Sequence, residues 1–173
     1  MLELLLGILG LLIIISFILF FIFVFIPWTF GAPFQPTSKK ELQKIVKIAE
    51  AKKTDKIVDL GSGNGTIVIE FAKRGIKSHG YEINPILVWW SRLRIKKLGL
   101  EKLAIVEKRN FWNIDLGKFD IIISFQINYV MKRLYNKIKK EGKNKVKIIS
   151  NTWKIRNKKP LKKIGHIYLY SKF

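Results

Sequence analysis

The run Asp59-Leu-Gly61-Ser-Gly63-Asn-Gly65 joins a short apolar segment, Lys56–Leu60, to a segment of helical periodicity, and a second acid, Glu82, closes the next apolar segment. Glycines at a strand-to-helix turn let a ligand approach the backbone with no Cβ in the way. An acid at the end of the next strand can accept hydrogen bonds from both hydroxyls of a ribose. A glycine run alone, or an acid on a solvated strand end alone, says little. Both at this spacing inside a strand–helix–strand unit point to a nucleoside cofactor.

These residues need elements to hold them. Ser38-Lys-Lys-Glu41 reads as a capping box opening an amphipathic helix to about Lys53, with Leu42, Ile45, Val46, Ile48 and Ala49 on its apolar face. Ile67–Arg74 reads as a helix closed by Gly75, and Ser78–Ile83 as a second strand. Asn84 and Pro85 open a helix that runs to about Leu98 before Gly99. Leu103–Lys108 and Phe119–Phe125 read as strands, the latter apolar enough to be buried on both faces. A helix over Tyr129–Lys140, a strand over Val146–Ser150 and a last strand over His166–Ser171 complete the pattern. Alternating strands and helices predict an α/β fold: a Rossmann-like, doubly wound, mostly parallel sheet. The stretch before the last strand is too short for a helical crossover, so that strand is predicted antiparallel.

Composition narrows the function. The chain has 173 residues, 33 Lys and Arg against 12 Asp and Glu, a formal net charge of +21, and no cysteine. A disulfide scaffold and a cysteine metal site are excluded. Two distant histidines, His79 and His166, make no zinc centre, so both are read as structural and no metal site is predicted. All 33 basic residues lie from Lys39 onward. Leu4–Ile26 is an uncharged run with Ser16 as its only polar side chain. As a helix it would be about 35 Å long, enough for a bilayer core of about 30 Å. With Glu3 and no basic residue ahead of it, it does not read as a cleaved signal peptide. Pro27 ends the run, and Trp28 and Phe30 suit a membrane interface. The predicted organisation is a transmembrane anchor over 1–28, a connector over 29–37 and a catalytic domain over 38–173. The positive-inside bias puts the single-pass protein's domain in the cytoplasm. Lys132–Lys172 is dense in Lys and Arg and holds one acid, Glu141. Beside a membrane, attraction to anionic lipid outranks nucleic acid for this surface. Trp89 and Trp90 are adjacent and cannot share a helix face, so one is expected in the core and the other in flank packing.

The third glycine comes one residue earlier than in a dinucleotide fingerprint, giving G-x-G-x-G led by Asp59. This resembles motif I of the seven-strand, class I S-adenosylmethionine-dependent methyltransferases. The resemblance implies that Asp59, Gly61, Ser62, Gly63 and Gly65 form the turn along the methionine portion of S-adenosylmethionine. It implies Glu82 as the ribose ligand, Ile83 as a packing surface for the adenine and Asn110 at the adenine-proximal place, where many members carry Asp. A closer resemblance rests on Pro33-Phe-Gln-Pro-Thr37, the glycine run, Gly80-Tyr-Glu-Ile-Asn-Pro85, Asn110-Phe-Trp112 and Ser150-Asn-Thr-Trp153, in this order. These are similar to the small lysine methyltransferases that modify the c-ring protein of mitochondrial ATP synthase and the adenine nucleotide translocase, and to their archaeal relatives. That implies a protein-lysine substrate, including membrane proteins. Thr37, Gln126 and Trp153 are the substrate-side candidates, and no catalytic base is identified. Methyl transfer needs a neutral, aligned amine, and a lysine beside a sulfonium loses its proton more readily, so no dedicated base is required. The runner-up classes are a lipid, small-molecule or RNA methyltransferase and a non-catalytic, membrane-tethered S-adenosylmethionine-binding module. A lipid or small-molecule enzyme would be expected to show a lidded apolar pocket, for which the sequence after the connector leaves little chain; the binding module would be expected to lack Gly61, Gly63 or Glu82.

Overall fold

The computed structural model describes residues 2–29 and 34–171, with the side chains of 2, 5, 22–29 and 128 left out. The chain divides into two compact units, Met1–Phe34 and Gln35–Phe173.

In the first unit, α1 (Leu2–Thr29) is one helix of 28 residues. Among the described residues, no helix is long and apolar enough to cross a membrane. The anchor expected over Leu4–Ile26 is therefore not found there: the continuous run of described apolar side chains stops at Phe21. The side chains of the remainder of that span and of Trp28, together with Phe30 and connector residues 31–33, lie outside the described residues.

The second unit holds α2 (Lys39–Ala49), β1 (Lys56–Leu60), α3 (Thr66–Lys73), β2 (Lys77–Glu82), α4 (Pro85–Lys97), β3 (Ala104–Lys108), β4 (Ile121–Ser124), α5 (Asn128–Glu141), β5 (Lys147–Asn151), β6 (Lys162–Ile164) and β7 (Ile167–Ser171). Short 3-10 turns, Phe111–Asn113 and Leu116–Lys118, lie between β3 and β4. The sheet order is β3-β2-β1-β4-β5-β7-β6. β1 to β5 pair in parallel, and β7 runs antiparallel to β5, as expected of the last strand. The order reverses between β1 and β4, where open α/β sheets bind ligands beyond the strand ends.

Alternation assigns the faces. Val58, Leu60, Ile122 and Ile148 pack with Met131, Leu134 and Ile138 of α5. Ile57, Ile121, Ile123 and Ile149 face the other way, onto Ile45, Ile48 and Phe71 of α2 and α3. Fully burying a residue such as Leu134 or Ile138 stabilises by about 1.5–3 kcal/mol.

Three expectations need correction. The first helix of this unit stops at Ala49, because Glu50 turns left-handed at φ 45° and Asp55 then accepts from the Lys52 amide at 2.8 Å. The lysine-rich stretch before the last strand contains β6, which pairs with β7 through a turn at Gly165 (φ 63°). Trp89 and Trp90 are both exposed, with ring centroids 6.3 Å apart. α4 meets the sheet through the narrow stripe Val88, Ser91 and Ile95, which leaves both flanking positions outside. His79 packs edge-on to Phe119 at 5.7 Å, and His166 is exposed in the β6–β7 turn.

Candidate functional site

The turn after β1 is built from backbone. The amides of Gly61 and Ser62 both donate to the Tyr81 carbonyl, at 2.8 and 3.1 Å, and the Gly65 amide donates to Ser62 O at 2.9 Å. Gly61 sits at φ 83°, and a Cβ there would stand 2.8 Å from Gln126 Nε2. That amide group donates to Leu60 O at 3.1 Å, tying the exit of β4 to the exit of β1 across the switch point.

Glu82 binds the turn from the side. Its Oε2 accepts from the Gly63 amide at 2.9 Å, and its Oε1 accepts from the amides of Ile83 and Asn84 at 2.8 and 2.9 Å. An ionised carboxylate has about four acceptor sites, so three are used within the chain and one remains. The acid at the end of β2 therefore fastens the glycine turn itself, a role its spacing did not reveal. Asp59 is buried beneath the same turn. Burial first, and the charge of Glu82 second, push its carboxyl up to about 7.

Two further residues escaped sequence reasoning. The Ser91 hydroxyl on α4 shares its one proton between Gly63 O at 2.9 Å and Leu87 O at 2.7 Å. Arg94 Nη1 donates to Asn64 O at 2.6 Å and to Thr66 Oγ1 at 3.2 Å. The available signal was a serine at a core position of a helix whose other inward residues are apolar. Asn84 caps α4 as expected, its Oδ1 accepting from the amides of Ile86 and Leu87 at 2.9 and 3.4 Å.

Asn110 follows β3 at the same sheet edge, but its Oδ1 accepts from the Trp112 amide at 3.0 Å and caps the 3-10 turn. One lone pair of that oxygen is engaged, which leaves its other lone pair and its amide nitrogen to meet a ligand. Ile83 is half-buried beside Glu82.

Substrate-side candidates lie along the same edge. Gln126 leaves β4 half-buried, and Trp153 follows β5, 40% exposed. Thr37 precedes the α2 cap, where Ser38 and Glu41 form the predicted box at 3.0 and 3.2 Å. The Glu41 carboxyl is held below its usual range by the Ser38 amide first, with Asn151 at the end of β5 also contributing. The Asn151 amide nitrogen is near Glu41 without forming a hydrogen bond. Thr37 thus enters on the β5 side of the site.

Buried polar groups without a partner are rare in folded proteins. Here Ser62 Oγ in the turn, Ser124 Oγ at the end of β4 and Asn151 Nδ2 at the end of β5 are buried and unpartnered. With a glycine surface, a carboxylate holding one open acceptor site and a second acid beneath, the edge suits a polar, nucleoside-bearing group with a cationic portion. Among the described residues, no cluster of three or more His, Asp or Glu could hold a metal ion.

A family model for the ANTKMT methyltransferase domain matches residues 59–162. The ATP synthase C-subunit lysine N-methyltransferase of Homo sapiens is 32% identical over 118 residues, covering 68% of this chain and 50% of the relative. A protein-lysine N-methyltransferase of Saccharolobus islandicus is 31% identical over 130 residues, covering 74% of this chain and 81% of the relative. The chain spans about half the length of the ATP synthase C-subunit methyltransferases of Homo sapiens, Mus musculus and Rattus norvegicus. Among solved structures, an RNA methyltransferase from Salinibacter ruber in complex with S-adenosyl-L-homocysteine superposes with a TM-score of 0.77. It is 23% identical, with 79% of this chain and 93% of that one covered, a likeness that shows the fold alone.

Proposed function

This chain belongs to the ANTKMT methyltransferase-domain family, its methyl donor is S-adenosylmethionine, and we propose on that premise that it is a protein-lysine N-methyltransferase. The observation that carries the reading is the glycine turn fastened by Glu82 at the switch point, beside an open sheet edge. When bound, the donor supplies a methyl group activated by its sulfonium. Glu82 orients the turn and keeps one acceptor site for a ribose hydroxyl. Asp59 lies where a cationic portion of the donor would draw its proton off and hold it ionised. Ile83 and Asn110 would flank the base, and Gln126 ties the exit of β4 to the turn.

The acceptor side supports lysine. Gln126 follows β4 and Trp153 follows β5 at the carboxyl ends of the strands, with Thr37 just before α2, and a long, thin side chain can enter such an edge from a protein surface. The names of the human and archaeal relatives point the same way. The role of these residues is alignment of a neutral amine, since orientation alone can supply much of a transfer barrier.

The proposal extends to a membrane setting, with the domain on the cytoplasmic face. Its support is α1, whose described large apolar side chains between Leu4 and Phe21 stand 43–69% exposed. Lipid is the medium in which such a surface is covered, and confinement there would concentrate membrane-protein substrates. The full chain should float with phospholipid vesicles, and a chain that stays in the soluble fraction removes the membrane setting.

The deciding experiment is mass spectrometry of membrane proteins from cells with the active protein and with Glu82→Ala. Lysine methylation that depends on Glu82 supports the reading. No difference in lysine, with a difference in lipid or RNA, overturns it. Thr37→Val should lower methyl transfer more than donor affinity.

A further inference from the structure

Beyond the exit of β5 lies an open cavity of about 430 Å³ lined by Thr152, Trp153, Lys154, Arg156 and Tyr168. Its charge is one-sided. The Nζ atoms of Lys154 and Lys163 each lie 5.7 Å from the centroid of the same Tyr168 ring. Among the described residues, neither lysine nor Arg156 forms an ion pair, whereas neighbouring Lys162 is matched with Glu50 and Lys143 with Asp120. The local fold maintains this arrangement at a cost. Thr152 sits at φ 70°, where a β-branched residue is strained by about 1–3 kcal/mol. Its amide is held by His166 O at 2.8 Å, and the Ser150 hydroxyl donates to Trp153 O, so the chain leaves β5 in this conformation. Two cations, Lys154 and Arg156, line an aromatic-walled cavity with no acid in its lining, and a third, Lys163, stands at the Tyr168 ring that walls it, a set that an anion from outside would complete.

The register sets the distance. Leu60 aligns with Ser124, Ser124 with Ser150, and Ser150 with Tyr168. At about 4.8 Å per strand, the cavity is roughly 10–15 Å along the sheet edge from the glycine turn. An extended peptide spans that distance in about four residues.

We propose that this cavity is a carboxylate-recognition subsite that seats an Asp or Glu of the protein substrate close in sequence to the methylated lysine, within the reach of that short extended stretch. The inference rests on the lysine reading and deepens it: it specifies which lysines are taken. Lys154, Lys163 and Arg156 donate charge-assisted hydrogen bonds to the carboxylate, and Trp153 and Tyr168 cover the aliphatic part of the side chain.

The test uses the full chain in detergent and peptides with a single lysine, carrying either Glu or Gln three positions to each side. With the wild type, kcat/KM for the Glu peptide should exceed that for the Gln peptide by about tenfold, mostly through KM, as expected for one charge-assisted contact of about 1.4 kcal/mol. In Lys154→Gln/Lys163→Gln the ratio should fall to within about twofold while kcat is retained. Both lysines are on the surface, so folding is not at stake. Lys154→Glu/Lys163→Glu should invert the preference toward Arg-flanked peptides. Equal use of both peptides by the wild type overturns the subsite and leaves the lysine reading standing. A preference that survives the double Gln variant also overturns it. If phosphatidylserine vesicles lose binding in that variant while peptide preference is unchanged, the cavity takes a lipid headgroup and the proposal is wrong. Label found in lipid or RNA with no peptide methylated defeats the lysine reading, and the subsite with it.

Discussion

The glycine turn after β1 and the loop after β5 lie on one sheet edge and are built on opposite principles. In the turn, the left-handed positions are Gly61, Gly63 and Gly65, where no side chain is strained. The carbonyl of Tyr81, the carboxylate of Glu82 and the hydroxyl of Ser91 hold its backbone from three directions. After β5 the left-handed positions are Thr152 and Asn157, and the side chains between them include Trp153, Lys154 and Arg156. The turn's backbone is held by hydrogen bonds from neighbouring elements and offers a surface of fixed shape. The loop is completed by charge from a partner. One region is suited to a ligand that never changes, the other to choosing among substrates.

The comparison breaks most visibly at Glu82. Removing its carboxylate releases three amides and the open acceptor site together. Glu82→Ala should weaken S-adenosylmethionine binding by about 1.5–3 kcal/mol, at least tenfold by calorimetry. It should also lower the melting temperature of the ligand-free protein; unchanged affinity in a folded variant would remove Glu82 from the site.

Asp59 tests the electrostatics of the turn. Its folded-state pKa of about 7 lies above the ordinary value of 3.8. The fold therefore favours the protonated carboxyl, a contribution complete below about pH 3.8 and lost as the pH rises through about 7. Asp59→Asn should leave ligand-free stability nearly unchanged at pH 4 and raise it by about 4 kcal/mol at pH 8. Melting curves at the two pH values decide: a difference that does not grow with pH refutes the assignment. The same variant should bind S-adenosylmethionine more weakly.

The loop should respond the other way to a glycine. Thr152→Gly relieves a strained β-branched residue and should stabilise by about 0.5–1 kcal/mol, while loosening the choice of peptide. Loss of stability in that variant would show that the Thr152 side chain contributes contacts worth more than its strain.

The smallest effect belongs to Asn110. Asn110→Ala removes the cap of a one-turn 3-10 helix and an amide donor, with a stability loss of about 0.5 kcal/mol and a threefold or smaller change in donor affinity. A larger loss of affinity would make Asn110 a principal adenine contact.

Local signals in the amino-acid order were sufficient for much of this protein. Ser38 with Glu41, Asn84 with Pro85, and the alternation of strand and helix periods specified elements close to their observed ends. The glycine run and the acid closing the next strand located the donor side of the site. Capping and periodicity act between residues a few positions apart, so they are written in the sequence itself. What tertiary structure decided depended on distant neighbours. Whether Trp89 or Trp90 is covered follows from how narrow a stripe α4 presents to the sheet. That Glu82 spends three acceptor sites on backbone amides follows from where the turn lies above β2. β6 was hidden by lysines because an edge strand needs only one well-packed neighbour. Lys154 and Lys163, separated in the chain by a loop and part of a strand, meet at one Tyr168 ring because β7 pairs with both β5 and β6, and electrostatic contacts of that kind have no period to read.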